Sequence, residues 1–426
     1  MRQSPTSWIA LAASAVAFVA CMPLRAASVC NPRAFGAKGD GVTKDTAAIQ
    51  QAIDACESKG GGTVTLPAGT YLSAPIILRS NITLHLDKGA TLLGSPDHSD
   101  YPPKTEFRAP GLQSLVSATN AEDVTIEGEG TIDGNGESWW QMVRAFKDAG
   151  VMGNEHPRPR LVVFDHCRHI RVEGITIQNS PMWQLVPYYS DDVTIRNVKI
   201  LAPVNSPNTD AVDPFSSSNV TIDHLYADTG DDDIAIKSGA ANSPGPDSPS
   251  RNIAIADCTF LHGHGLSIGS ELAGGISNIR AERIHFDGTD NGIRVKANRD
   301  RGNDVSGLVF RDIDMKGVGY ALIVSEYYPK MLPPEGTEAP QPVTRLTPHF
   351  HDITFENVTV VDSSTAGAIV GLPESPVLGI TLRNVKIGAV RGLTIGYAQV
   401  AGTHVTVTAQ QGPGIIEQAG AKISIH

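Results

Sequence analysis

Asn219-Val220-Thr221-Ile222 restates, a little further along the chain, Asp192-Val193-Thr194-Ile195. In both, a polar residue precedes alternating β-branched residues. The same phrase stands at Asn81-Ile82-Thr83-Leu84, Asp123-Val124-Thr125-Ile126 and His169-Ile170-Arg171-Val172. Later copies begin at Asn252, Asn278, Gly307, Asp352 and Gly379, and many are followed by a second short strand such as Asn357-Val358-Thr359-Val360. Strict alternation is the period of a strand. A phrase returning at intervals of roughly 20–50 residues marks a solenoid. A β-sandwich also has short strands and turns, but one phrase need not keep coming back. The expected fold is all-β: parallel strands stacked as coils, with Val and Ile inside and Asn, Asp or Gly at the corners.

Working outward, residues 45–58 have helical apolar spacing (Ala47, Ile49, Ala52, Ile53, Cys56) behind Asp45, a candidate N-cap. Gly60-Gly61-Gly62 stops that helix, which is expected to cover the open N-terminal edge of the coils. Pro96–Leu112, Asn135–Arg160, Ala240–Ser250 and Pro329–Pro348 break the pattern. They read as outer loops walling a groove rather than as a second domain. Residues 29–426 are therefore expected to form one domain.

The chain has 426 residues, 41% hydrophobic and 19% charged, with a net charge of −11. That balance excludes a disordered chain. An acidic protein binds a polyanion only through a local basic patch, and no Lys/Arg run interleaved with aromatics points to nucleic acid. Residues 1–28 read as a secretory signal, with Arg2, an apolar Trp8–Ala20 and small residues up to Ser28. Cys21 offers a second reading as an acylation point. Losing residues 1–28 removes Arg2 and Arg25 and no acid, taking the net charge from −11 to −13. No later stretch has the length and apolarity of a membrane span. Cys30 and Cys56 are candidates for a disulfide in an oxidising compartment, and Cys167 and Cys258 for buried thiols.

The chemistry gathers in Asn208-Thr209-Asp210, Gly230-Asp231-Asp232-Asp233, Gly263-His264-Gly265 and Arg294-Val295-Lys296, one set per repeat. Adjacent Asp231 and Asp232 share a site only if the backbone bends between them. Two close carboxylates then differ in proton affinity, which supplies a general acid and a general base. Asp210, one coil earlier, stacks near them. An Asp-rich turn or a calcium site is the alternative reading of that run. His264 is suited to bonding a carboxylate or a sugar. Arg294 and Lys296 share a face and suit an anionic partner, or else a salt-bridged surface. Trp183, Tyr327 and Tyr328 are candidate sugar-stacking rings.

In order and spacing these segments resemble the four signature segments of the polygalacturonase family of glycoside hydrolases, family 28. The opening Phe35-Gly36-Ala37-Lys38-Gly39-Asp40-Gly41 is similar to the start of many pectin-acting β-helix proteins. The resemblance implies a right-handed parallel β-helix that hydrolyses α-1,4-galacturonan with inversion, without a metal or other cofactor. It implies Asp231 as general acid, Asp210 and Asp232 as the pair activating water, and His264 as support for the acid. It also implies Asn208, Arg294, Lys296 and Tyr327 as substrate-binding residues. Asp233 departs from the family by standing where Cys is common. The expected protein is a secreted, monomeric, endo-acting polygalacturonase whose partner is polygalacturonate or pectin, with no nucleic-acid or membrane partner. Exo-acting and rhamnogalacturonan hydrolases are the near alternatives, and a pectate lyase or a non-catalytic glycan-binding β-helix the distant ones.

Overall fold

A computed structural model describes residues 28–106, 109–151, 156–239, 247–332 and 338–426. The leader-like stretch, as far as residue 27, lies outside them, as do residues 240–246 of one excursion. The described chain is a right-handed parallel β-helix, the hand that parallel crossovers take. One ladder runs through Gly62–Leu66, Ile82–Leu86, Glu122–Gly128, Arg168–Glu173, Asp191–Arg196, Ser218–Asp223 and Ser250–Ala256. Its register stacks Ile126, Val172, Ile195, Ile222 and Ile255 on one another inside the solenoid.

The polar residue that opens each phrase has a structural cause. Asp123, Asp192, Asn219, Asn252 and Asn278 all have φ between 55° and 56°, the left-handed region that Asn and Asp tolerate best among residues with a Cβ. Gly307 and Gly379 take the same place at φ 68° and 64°. Stacked coils bring these corners into line, and the amides bond along the axis. Asn278 Nδ2 donates to Asn252 Oδ1 at 2.7 Å, and Asn252 Nδ2 to Asn219 Oδ1 at 3.0 Å.

Helix α1 (Thr46–Glu57) buries Ala48, Ile49, Ala52, Ile53 and Cys56 against the first coils. Asp45 stands before it but does not cap it. Its carboxylate instead accepts from the backbone N–H of Lys38 (2.7 Å) and Gly39 (2.9 Å), tying the preceding loop to the helix start. Cys30 is joined to Cys56, which fastens the first strand to α1, and Cys167 and Cys258 are buried and free.

Two excursions are more ordered than loops. Pro103–Glu106 and Ala109–Leu112 pair as an antiparallel hairpin. The stretch Asn135–Arg160 holds a second helix, α2 (Glu137–Asp148), anchored where Trp140 Nε1 donates to Ser180 O at 2.9 Å. No helix among the described residues is long and apolar enough to cross a membrane.

A separate ladder presents the chemistry. It stacks Val162–Asp165 on Leu185–Tyr188, bridges through Val212 and Phe215, and continues through Ile234–Ile236, Leu266–Gly269, Asn291–Lys296 and Tyr320–Ser325.

Candidate active site

Register sets out the floor. Leu185, Val212, Ile234, Leu266 and Ile293 stack inward, so residues one position later face out. Ala235, Ser267 and Arg294 form one outward column. Gly269 pairs with Lys296, and Phe215 with Lys237, in the next. Small residues at 235, 267 and 269 thus make a floor across which Arg294 and Lys296 reach to Asp232, with Lys237 on the opposite side. The two cationic rows are two strands apart, about 10 Å at the usual strand spacing.

Asp231 and Asp232 precede the strand Ile234–Ile236 rather than lying on it, which resolves the alternation problem. In this bend the backbone N–H of Asp232 donates to Asp231 Oδ1 at 2.9 Å. Gly263 and Gly265 make the turn that brings His264 over the pair. They have φ of +88° and +71°, and a Cβ on Gly265 would lie 2.0 Å from Asn291 O. His264 N then donates to Asp231 O at 2.8 Å, and His264 Nδ1 lies 3.0 Å from Asp231 Oδ1.

The two carboxylates differ in surroundings. Asp231 remains partly open, its side chain 21% exposed against 2% for Asp232. Asp232 receives Arg294 Nη2 at 2.5 Å, Lys296 Nζ at 2.9 Å and Ser267 Oγ at 2.8 Å. Burial alone would raise its pKa, but Lys296, Arg294 and Lys237 outweigh burial and hold it far below the usual carboxylate range. His264 moves the other way: burial opposes its charge, yet Asp231 and Asp232 together lift its pKa. The three residues Asp231, Asp232 and His264 bring ligand atoms within 4.8 Å of one another. Arg294 and Lys296 already neutralise Asp232, so a dication there would meet two fixed positive charges.

Residues 56–409 match the glycosyl hydrolases family 28. The chain belongs to that family. It is thus a glycoside hydrolase of the polygalacturonase group. It is 34% identical to a probable polygalacturonase of Vitis vinifera over 370 residues, covering 83% of this chain and 73% of that one. It is 32% identical to an endo-polygalacturonase of Pectobacterium carotovorum subsp. carotovorum over 361 residues, covering 80% and 84%. Among solved structures, an exopolygalacturonase from Thermotoga maritima superposes with a TM-score of 0.76 at 28% identity, covering 92% of this chain and 91% of that one.

In this family 28 hydrolase, Asn208 faces Asp231, with Nδ2 3.5 Å from Asp231 Oδ2. Its orientation comes from Arg158 in the long excursion. Arg158 Nη2 donates to Asn208 Oδ1 at 2.7 Å, while Nη1 donates to Pro181 O and Pro207 O, each at 2.8 Å. Of the two tyrosines, Tyr328 borders the site, with Lys296 Nζ 5.3 Å from its ring centroid. The Tyr327 ring instead faces Arg299 at 5.9 Å, and Arg299 grips Glu338 with two hydrogen bonds of 3.0 and 2.9 Å.

Motif reading missed a second charge group on the Lys237 side of the floor. Lys237 Nζ lies 3.7 Å from Asp210 Oδ2, 3.6 Å from Glu271 Oε2 and 5.0 Å from the Trp183 ring centroid. Asp213 is fully buried beside them, and neither of its oxygens has a hydrogen-bond partner among the described residues. Burial, partly offset by Lys237, pushes Asp213 up to about 8, and burial with the charges of Asp213 and Asp231 raises Asp210 well above the ordinary range. Burial works against the Lys237 ammonium, but Asp213, Glu271 and Asp210 outweigh it and hold its pKa high. The outward column shared by Lys237 and Lys296 was the available signal, since Ile234-Ala235-Ile236-Lys237 aligns with Ile293-Arg294-Val295-Lys296.

Asp233 turns away from the groove. Its Oδ2 accepts from Gly265 N at 3.1 Å, and its Oδ1 lies 3.2 Å from Thr229 Oγ1. Thr229 Oγ1 is also 3.1 Å from Asp231 O, and a hydroxyl has one proton for the two acceptors. A protonated Asp233 resolves this by donating to Thr229. Burial agrees, raising its pKa well above normal despite those hydrogen bonds. A carboxyl whose folded pKa exceeds its unfolded value binds more protons in the fold, so it costs stability as pH rises above about 4. Asp233→Asn keeps both bonds without titrating. Its melting temperature is expected to exceed wild type near neutral pH and converge with it near pH 4, which calorimetry across that range checks. Equal temperatures throughout would mean Asp233 is not a proton-holding group.

Proposed function

We propose that this protein cleaves α-1,4-galacturonosyl bonds of polygalacturonate by single displacement, acting within the chain. The observation that carries the reading is the unequal carboxylate pair. Asp231 is partly open beside His264, whereas Asp232 lies beneath two cations at the edge of a small-residue floor. A uronate sugar on that floor would bring its own carboxylate to Arg294 and Lys296. Sharing the cations would free Asp232 to take a proton from water, alongside Asp210, while Asp231 donates to the departing glycosidic oxygen. Asn208 and Tyr328, with the adjacent Tyr327, would border the bound chain. A lone sugar lacking the carboxylate would leave Asp232 locked, which ties acid–base competence to the correct substrate.

The outward columns run on to both sides of the pair, and the similarity to an endo-polygalacturonase spans most of both chains. The run of outward columns supports internal cleavage, whereas full-length similarity extends to an endo-polygalacturonase and an exopolygalacturonase alike. The leader-like start and the Cys30–Cys56 bond support export to an oxidising compartment. The test is a time course on polygalacturonate with a chelator present, read by reducing ends, chain length and the anomer first formed. Rapid loss of long chains to saturated oligomers of inverted configuration is the expected result. Release of monomer or dimer alone would replace internal with terminal cleavage. An unsaturated, ultraviolet-absorbing product would make it a lyase, and no new reducing ends would end the catalytic reading.

A further inference from the structure

Away from the groove, the parallel strands Asp304–Lys316 and His349–Val370 begin side by side, with Asp304 paired to His349 and Ser306 to His351. Val305 and Phe350 point inward and are fully buried, so Asp304, His349 and His351 share the outer face. Their ligand atoms all lie within 4.8 Å of one another. His351 Nε2 is already 2.9 Å from Asp304 Oδ1, and the two imidazole centroids are 4.9 Å apart.

The outer contacts have the character of a ligand set. His351 Nδ1 lies 2.7 Å from Asp352 Oδ2, which would fix the tautomer that offers Nε2 as a donor atom. Asp304 Oδ2 accepts from Ser306 Oγ at 3.0 Å, leaving Oδ1 to face the histidines. A histidine–aspartate ion pair accounts for His351 and Asp304. It does not account for His349, which adds a second imidazole on the same face and is exposed enough to swing inward.

We propose that Asp304, His349 and His351 bind one divalent transition-metal ion of the zinc type. Two imidazoles and a carboxylate suit zinc, copper or nickel. They do not suit calcium, which takes six to eight oxygens, and magnesium prefers carboxylates and water. His349 directly follows Pro348, where the Pro329–Pro348 excursion rejoins the coil. An ion there clips the end of the excursion to the preceding strand. That same excursion carries Glu338, held by Arg299 beside Tyr327. The role is structural and lies outside the acid–base machinery, so it stands or falls apart from the proposed reaction.

The test is titration calorimetry of the chelator-treated full chain with zinc chloride, with calcium and magnesium chloride as controls. The expected result is one zinc site in the micromolar range, weakened at least tenfold in both His349→Ala and His351→Ala. Zinc is expected to raise the melting temperature of wild type only, with the metal-free variants melting as metal-free wild type does. Zinc binding no tighter than millimolar would overturn the proposal. So would micromolar binding that survives both substitutions, which would place the ion at Asp231–Asp232–His264 or at the exposed Asp223–His224–Asp257 group.

Discussion

Asp231→Asn is expected to lower kcat on polygalacturonate by about 10³- to 10⁴-fold, the upper part of the range for a positioned general acid, with KM changed only a few-fold. The geometry makes the substitution clean. Asp231 Oδ1 accepts from the Asp232 backbone N–H at 2.9 Å and lies 3.0 Å from His264 Nδ1, and an asparagine oxygen keeps both contacts. Asp232 and its two cations stay in place, so the substrate carboxylate meets an unchanged site. What disappears is the proton. Initial rates and equilibrium binding of galacturonate oligomers separate the two effects. A variant with wild-type kcat would remove Asp231 from the reaction, and one that fails to bind would show that its role is in holding the sugar.

The second large effect concerns stability. Lys237→Met is expected to lower the melting temperature by several degrees at pH 7–8, because removing one partner of a buried ion pair costs about 3–5 kcal/mol. Methionine fills a similar volume, so the cost is electrical rather than a cavity. Without Lys237, Asp210 and Asp213 lose the cation that tempers their raised pKa values and rise further, and Glu271 loses the chief charge that holds it below the ordinary carboxylate range. Raised carboxyl values cost stability as pH climbs above about 4 and cost nothing below it. The gap between variant and wild type should therefore widen from pH 4 towards pH 8. A gap of constant size would mean that Lys237 matters through its packing on Trp183 alone.

The difference between these two residues shows what a sequence can reveal about such a site. Asp231 is legible because short contiguous motifs mark it: a glycine before two carboxylates at 230–232, and Gly263-His264-Gly265 one coil later. Lys237 becomes meaningful only when Phe215, Gly269 and Lys296 are stacked in register around it. Asp213 is hidden for the same reason, and Arg158 because it reaches Asn208 from an excursion whose path no periodicity describes. The coils were legible because their corners demand a left-handed residue on every turn, so Asn, Asp and Gly recur. Helix α2 was not, since it sits between Gly-rich and Pro-rich flanks that read as loop. Asp45 stands where a helix cap belongs, yet Lys38 and Gly39 offer its carboxylate better-placed donors.

The site draws its residues from neighbouring coils in the middle of the stack, with α1 and the early strands on one side and the long strands His349–Val370, Val377–Gly396 and Ala398–Glu417 on the other. Each coil of such an array is held chiefly by its immediate neighbours, so disorder enters from the ends and advances inward. Catalysis is thereby buffered against wear: outer turns can fray, be nicked or open transiently while the central turns keep their register. An enzyme built this way should lose mass before it loses function, a useful order of failure for a protein expected to work outside the cell.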